Sequence, residues 1–182
     1  MVGTPRRGWL IAALVVAVSG LLGSGVVAAA WAESVAGSRS AAPDLPGSLV
    51  RVTLTNMGGP MMGGRATKHP GLMRASAEPA TVPAGVVSFL VTNRGGIDHE
   101  LVVLPLTDNQ NPGTRPTGTD AKTDETGSLG EASTTHGQGP GHGIRPGTQS
   151  WVSVTLTPGR YELLCNLPGH YTAGMFTTLT VS

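Results

Sequence analysis

Tyr161-Glu162-Leu163-Leu164-Cys165-Asn166-Leu167-Pro168-Gly169-His170-Tyr171-Thr172-Ala173-Gly174-Met175-Phe176 is the stretch from which the rest of the chain is read. It holds the only cysteine, a histidine five residues later and a methionine five after that. Each has a commoner explanation when taken alone. A lone cysteine is most often a small buried hydrophobe. A methionine near a C-terminus is usually core, and Pro-Gly-His is often an ordinary turn. A thiol, an imidazole and a thioether at ligand spacing on one loop are hard to reach by accident. Together they form a soft donor set, suited to a redox-active metal.

Two histidines, one cysteine and a long, weak axial methionine are the ligands of blue-copper sites. The loop supplies three of these four, and His99 is the candidate for the fourth. Cys-x4-His-x4-Met, with Pro-Gly before the histidine and an exit through Gly174-Met175-Phe176, resembles the copper loop of cupredoxins. It looks most like the rusticyanin and sulfocyanin branch; azurins usually have a shorter His-to-Met spacing. Upstream, Val82-Pro83-Ala84-Gly85, an apolar strand, Asn93-Arg94-Gly95 and then His99 resemble the N-terminal copper half of the same family. The resemblance runs from roughly Leu49 to Ser182. It implies one type 1 copper held by His99, Cys165, His170 and Met175, in a one-electron carrier. It further implies a redox partner that docks transiently on an apolar rim of Leu167, Pro168, Ala173 and Met175 around His170. One departure stands out. Many cupredoxins carry Asn after the upstream histidine, and here it is Glu100, which leaves the bracing of the ligand loop open.

Composition agrees with a β protein. Charged residues make up only 13%, against 27 Gly and 14 Pro in 182 residues. That favours short strands and many turns. The net charge is +1, with Arg6 and Arg7 in the leader, so nothing argues for nucleic acid. One cysteine excludes an internal disulfide framework. A lone thiol in an exported protein needs a reason to persist, and metal ligation is one.

In chain order, residues 1–32 read as an export segment: Arg6-Arg7, an almost wholly apolar run from Trp9 to Ala32, and Ala30-Trp31-Ala32 as a small-x-small cleavage site. Two outcomes stay open, a cleaved signal peptide or an uncleaved anchor attaching the chain to a membrane through residues 9–32. Either places the domain outside the cytoplasm: secreted, periplasmic or at the cell surface. Residues 33–48 read as a flexible linker. Alternation predicts strands at Leu49–Thr55, Leu72–Ala77, Val86–Thr92, Ile97–Leu104, Trp151–Thr157, Arg160–Cys165 and Phe176–Ser182. About seven such strands without a convincing helix predict an antiparallel Greek-key β-sandwich, a cupredoxin domain over 49–182. On the return strand Tyr161, Leu163 and Cys165 share one face.

Residues 106–150 read as a long polar insertion, beyond the usual loop length of about 12–15 residues. A short helix near Ser128–Ser133 is an option within it. His136-Gly-Gln-Gly-Pro-Gly-His142 reads as a mobile glycine-rich loop and is assigned no ligands. Met57, Met61 and Met62 sit among glycines too dense for a regular element. They fill gaps over the sandwich end, form an apolar docking patch near the copper site, or hold Cu(I), and the last makes the chain an extracytoplasmic copper carrier or buffer. His69 reads as a solvated loop residue. An enzyme using a Cys165–His170 nucleophile pair lacks an orienting third group and an oxyanion motif. Under both the copper and the enzyme reading, the metal-free thiol is expected to alkylate fast. The chain reads as a monomer and a carrier rather than an enzyme.

Overall fold

Alternating apolar residues give each strand one face to bury, and two such sheets close on each other. The computed structural model describes residues 43–56 and 73–182. Residues 1–32, read from sequence as an export segment, most of the 33–48 stretch read as a linker, and Met57, Met61, Met62 and His69 lie outside the described residues. The strands are β1 (Ser48–Asn56), β2 (Met73–Glu78), β3 (Thr81–Val82), β4 (Gly85–Asn93), β5 (Leu101–Leu106), β6 (Gly130–Thr134), β7 (Gly139–Gly143), β8 (Gln149–Leu156), β9 (Gly159–Leu164) and β10 (Phe176–Val181). One sheet has the order β2-β1-β4-β8 and the other β3-β10-β9-β5-β6-β7.

The expected sandwich is therefore present, with the predicted strands in place to within a few residues. Val50, Val52 and Leu54 of β1 and Val87, Phe89 and Val91 of β4 meet Leu101 and Val103 of β5 and Leu163 of β9 in one core. Not every pair is antiparallel: β1–β4, β3–β10 and β6–β7 run parallel. β1 and β4 do so because the chain runs back antiparallel to β1 as β2, passes through β3 in the other sheet, and returns as β4 in the starting direction.

The insertion departs most from expectation. Residues 130–134 form a strand and not a helix. Ala132 pairs with Leu101, so β6 covers an edge of β5 that a helix would leave unpaired. Gly130 also sits so close to Val152 and Val154 of β8 that an added Cβ would press on their methyl groups. The glycine-rich segment after His136 is in part strand β7, beside β6.

The remainder of the insertion covers the outer face of the larger sheet. Val102 and Leu104 of β5 and Leu164 of β9 point away from the main core and form a second cluster with Tyr171 and Phe176. Gly113 lies on the ring of Phe176, where a Cβ would collide. Beside it the Glu162 carboxylate, 0% exposed, accepts from Gly113 N (2.6 Å), Arg115 Nε (2.6 Å) and Tyr171 OH (3.0 Å). Hence Tyr161 to Cys165 are all buried, although alternation predicts only one inner face.

Candidate metal centre

His99 lies just before β5 and is held from three sides. Asn93, at the end of β4, donates through Nδ2 to the carbonyls of Ile97 and Ile144, 2.7 Å each, and accepts from Gly95 N at 2.8 Å. That fixes the turn leading into His99. The His99 backbone then pairs with Ile144. Finally the imidazole Nε2 lies 3.1 Å from Asn56 Oδ1, which also accepts from Gly96 N at 2.8 Å. An oxygen that takes a backbone N–H is an acceptor, so Nε2 carries the proton and Nδ1 keeps its lone pair. The parallel register of β1 and β4, with Leu54 opposite Asn93, brings Asn56 to this turn. Gly95 is obligatory there, because a Cβ would run into Asn56 Oδ1 and His99 Nε2.

Cys165 follows β9 and Met175 precedes β10. The nine-residue span between is closed by Cys165 N to Met175 O (3.0 Å) and Met175 N to His170 O (3.1 Å). Gly169 and Gly174 take left-handed φ values of 81° and 93° that most side chains resist. His170 Nδ1 comes within 3.2 Å of both His99 Nδ1 and Cys165 Sγ. The donor atoms of His99, Cys165 and His170 all lie within 4.8 Å of one another, the one such cluster of three among the described residues.

Burial sets the charge of this cluster. It lowers His99 to about 4, helped by the neighbouring His170. It lowers His170 as well. Both rings are therefore neutral at pH 7, the form that binds a metal. Burial pushes the Cys165 thiol up to about 12, against the backbone N–H groups of Leu167 and Glu100 that point at the sulfur. The Glu100 N–H lies 3.3 Å from Sγ. Two amides aimed at a buried sulfur suit a thiolate whose charge a bound cation balances. The metal-free thiol, protonated and 0% exposed, is instead a poor nucleophile, which reverses the expectation of fast alkylation.

Two nitrogen lone pairs and one sulfur in a water-excluded pocket fit copper. Met175 is also 0% exposed and ends the same loop. The Glu100 departure is resolved here. Its N–H serves the sulfur, and its Oε1 accepts from Asn166 N at 3.1 Å, so the loop is braced in another form. Burial, then Glu131, pushes the Glu100 carboxyl up to about 7. His136 and His142 stand apart from the cluster, at a solvent-open cleft of about 500 Å³ shared with Asp98 and Arg145. Sequence reasoning missed Asn56, Asn93 and Asn166, whose roles depend on register and on the insertion's path.

Residues 78–182 match the family described as Sulfocyanin (SoxE) domain. No curated protein matches the chain. Among solved structures, auracyanin B is 24% identical over 76% of this chain and 91% of its own, with a TM-score of 0.45. Reduced rusticyanin is 18% identical over 75% and 81%, with a TM-score of 0.44. Dithionite-reduced auracyanin from Roseiflexus castenholzii is 18% identical over 76% and 98%, with a TM-score of 0.43. The family match takes in more than half of the chain, including His99 and the whole loop from Cys165 to Met175, and so this protein belongs to the sulfocyanin (SoxE) domain family of cupredoxins.

Proposed function

We propose that the chain is an exported one-electron carrier whose single type 1 copper is held by His99, Cys165, His170 and Met175. The convergence of two neutral imidazoles and one buried sulfur within 4.8 Å carries this reading. Bound copper supplies a Cu(II)/Cu(I) couple; the chain supplies everything that keeps the couple reversible. Asn56 holds His99 in one tautomer, the Glu100 and Leu167 amides steady the thiolate, and the closed loop fixes His170. A donor set held in place by the fold reorganises little when its charge changes, which favours fast electron transfer.

The docking face follows from exposure. His170 is 9% exposed and His99 0%, so His170 is the ligand nearer to solvent. Pro168 is exposed beside it, with Leu167 and Ala173 half-buried. Met175 is wholly buried and does not belong to the rim expected from sequence. A monomer meeting its redox partner through Leu167, Pro168 and Ala173 fits this arrangement. The enzyme alternative fares worse, since a thiol that is 0% exposed offers a substrate no approach. Export rests on residues 1–32, whose anchor-or-signal outcome is read from sequence. Among the described residues no helix is long and apolar enough to cross a membrane.

Redox cycling of the copper-loaded chain tests the proposal. A carrier bleaches with one equivalent of ascorbate-derived electrons, recolours with ferricyanide, and keeps its copper through dialysis in both states. Release of copper on reduction refutes the carrier. It favours the copper-handling reading if Met57, Met61 and Met62 substitutions then change Cu(I) retention.

A further inference from the structure

The insertion does more than cover a sheet. Three of its segments bond to the loop between Cys165 and Met175, and they do so at the residues flanking two of the proposed ligands. Asn166, directly after Cys165, accepts from Thr123 N through Oδ1 at 2.8 Å and donates through Nδ2 to Thr123 O at 2.9 Å and Glu125 Oε1 at 2.6 Å. Gly169, directly before His170, donates to Ala121 O at 2.9 Å. Tyr171, directly after His170, accepts from Arg115 N through its hydroxyl at 3.1 Å and donates to Glu162 Oε1 at 3.0 Å.

The contacts are built and not incidental. Asn166 is 1% exposed and Tyr171 3%. The reciprocal pair between the Asn166 amide and the Thr123 backbone imitates one rung of a β-ladder, which fixes both distance and direction. Ala121 gives its carbonyl to Gly169 from a left-handed conformation, φ 59°, that alanine adopts only at a cost. Among the described residues no buried side-chain nitrogen or oxygen lacks a partner, so these bonds complete the site's polar accounting.

We infer that residues 107–129 are a clamp for the metal loop, with Asn166 and Tyr171 as positioning residues that set where Cys165 and His170 stand. This rests on the copper reading above. The clamp makes the ligand geometry a property of two distant parts of the chain. Loosening it lets the sulfur and the His170 ring shift relative to His99, without removing any donor. The energy of the thiolate-to-copper transition and the reduction potential then change while copper is still bound.

The test uses the full chain and four variants: Asn166→Ala, Tyr171→Phe, Asn166→Asp and Leu156→Ala. Asn166→Ala deletes the rung to Thr123. Tyr171→Phe keeps the ring and removes only the hydroxyl. Asn166→Asp keeps the acceptor for Thr123 N. Leu156 is 1% exposed and pairs with Gly85, at the end of its sheet away from Asn93, so its truncation lowers stability without touching the site. Two readouts are taken: the visible spectrum and potential of the copper-loaded forms, and amide exchange of the metal-free forms. Asn166→Ala and Tyr171→Phe are expected to shift both band and potential, and Asn166→Asp, whose second oxygen faces the Thr123 carbonyl and the Glu125 carboxylate, to shift them at least as far as Asn166→Ala. Leu156→Ala is expected to shift neither. In metal-free Asn166→Ala, which loses three hydrogen bonds, exchange at Gly169 is expected to rise at least about tenfold, the factor a single lost buried hydrogen bond carries. Wild-type band, potential and exchange in both Asn166→Ala and Tyr171→Phe overturn the clamp. Equal shifts in Leu156→Ala overturn it too, because loss of stability alone then explains them. If Asn166→Ala does not fold, Tyr171→Phe alone decides. A wild-type chain that never colours with copper defeats the metal reading instead, and the exchange data then still judge the clamp.

Discussion

Arg115→Met isolates the ion pair that fastens the insertion to the larger sheet. Arg115 Nε lies 2.6 Å from Glu162 Oε2, with side-chain exposures of 13% and 0%. Its Nη2 also donates to Pro105 O at 2.6 Å. Methionine keeps most of the side chain's apolar volume, so packing changes little. What is lost is the only cation, among the described residues, on a carboxylate removed from water, with Gly113 N and Tyr171 OH left as its neutral donors. Removing one partner of a buried pair costs about 3–5 kcal/mol, against at most about 1 kcal/mol for an exposed pair. At about 3 °C per kcal/mol for a chain of this size, Tm falls by roughly 10 °C. Urea unfolding of the metal-free protein measures the change directly. Adding Glu162→Gln to Arg115→Met removes the orphaned charge but keeps an acceptor for Gly113 and Tyr171, so the double variant recovers part of the loss. A single-variant cost under about 1 kcal/mol refutes the reasoning, because the pair then behaves as a solvent-exposed one.

Other outcomes follow from the same contacts. Asn56→Ala frees the His99 Nε2–H and should weaken copper retention about 10- to 100-fold, as loss of a ligand's outer partner typically does; competition with a chelator measures it. Gly95→Ala drives a methyl into Asn56 and His99 and should slow copper loading and lower Tm together; wild-type loading in this variant contradicts the crowding. Iodoacetamide should modify the native metal-free Cys165 far more slowly than the urea-unfolded chain; equal rates contradict the burial of the sulfur.

Much of this was legible in the sequence, for identifiable reasons. Val50, Val52, Leu54 and Phe89 show the period-2 alternation of a strand with one buried face, so their elements and inward faces were readable. The spacing of Cys165, His170 and Met175 is local, and a single closed loop delivers it. The insertion was illegible because its bonds are not local. Asn166 pairs with Thr123, 43 positions away, and neither residue announces it. The strand at Gly130–Thr134 forms because β5 offers an open edge and β8 presses on Gly130, which no reading of five polar and small residues reveals. Glu162 lies on what alternation marks as the outer face; only the docked insertion makes that face interior.

The optical spectrum of the metal-free chain titrated with Cu(II) tests the central claim most directly. The account predicts an intense blue or green band that saturates at one equivalent, with Cys165→Ser remaining colourless under the same titration. A chain that binds copper without such a band, or a Cys165→Ser variant that keeps it, contradicts a copper centre built on that sulfur.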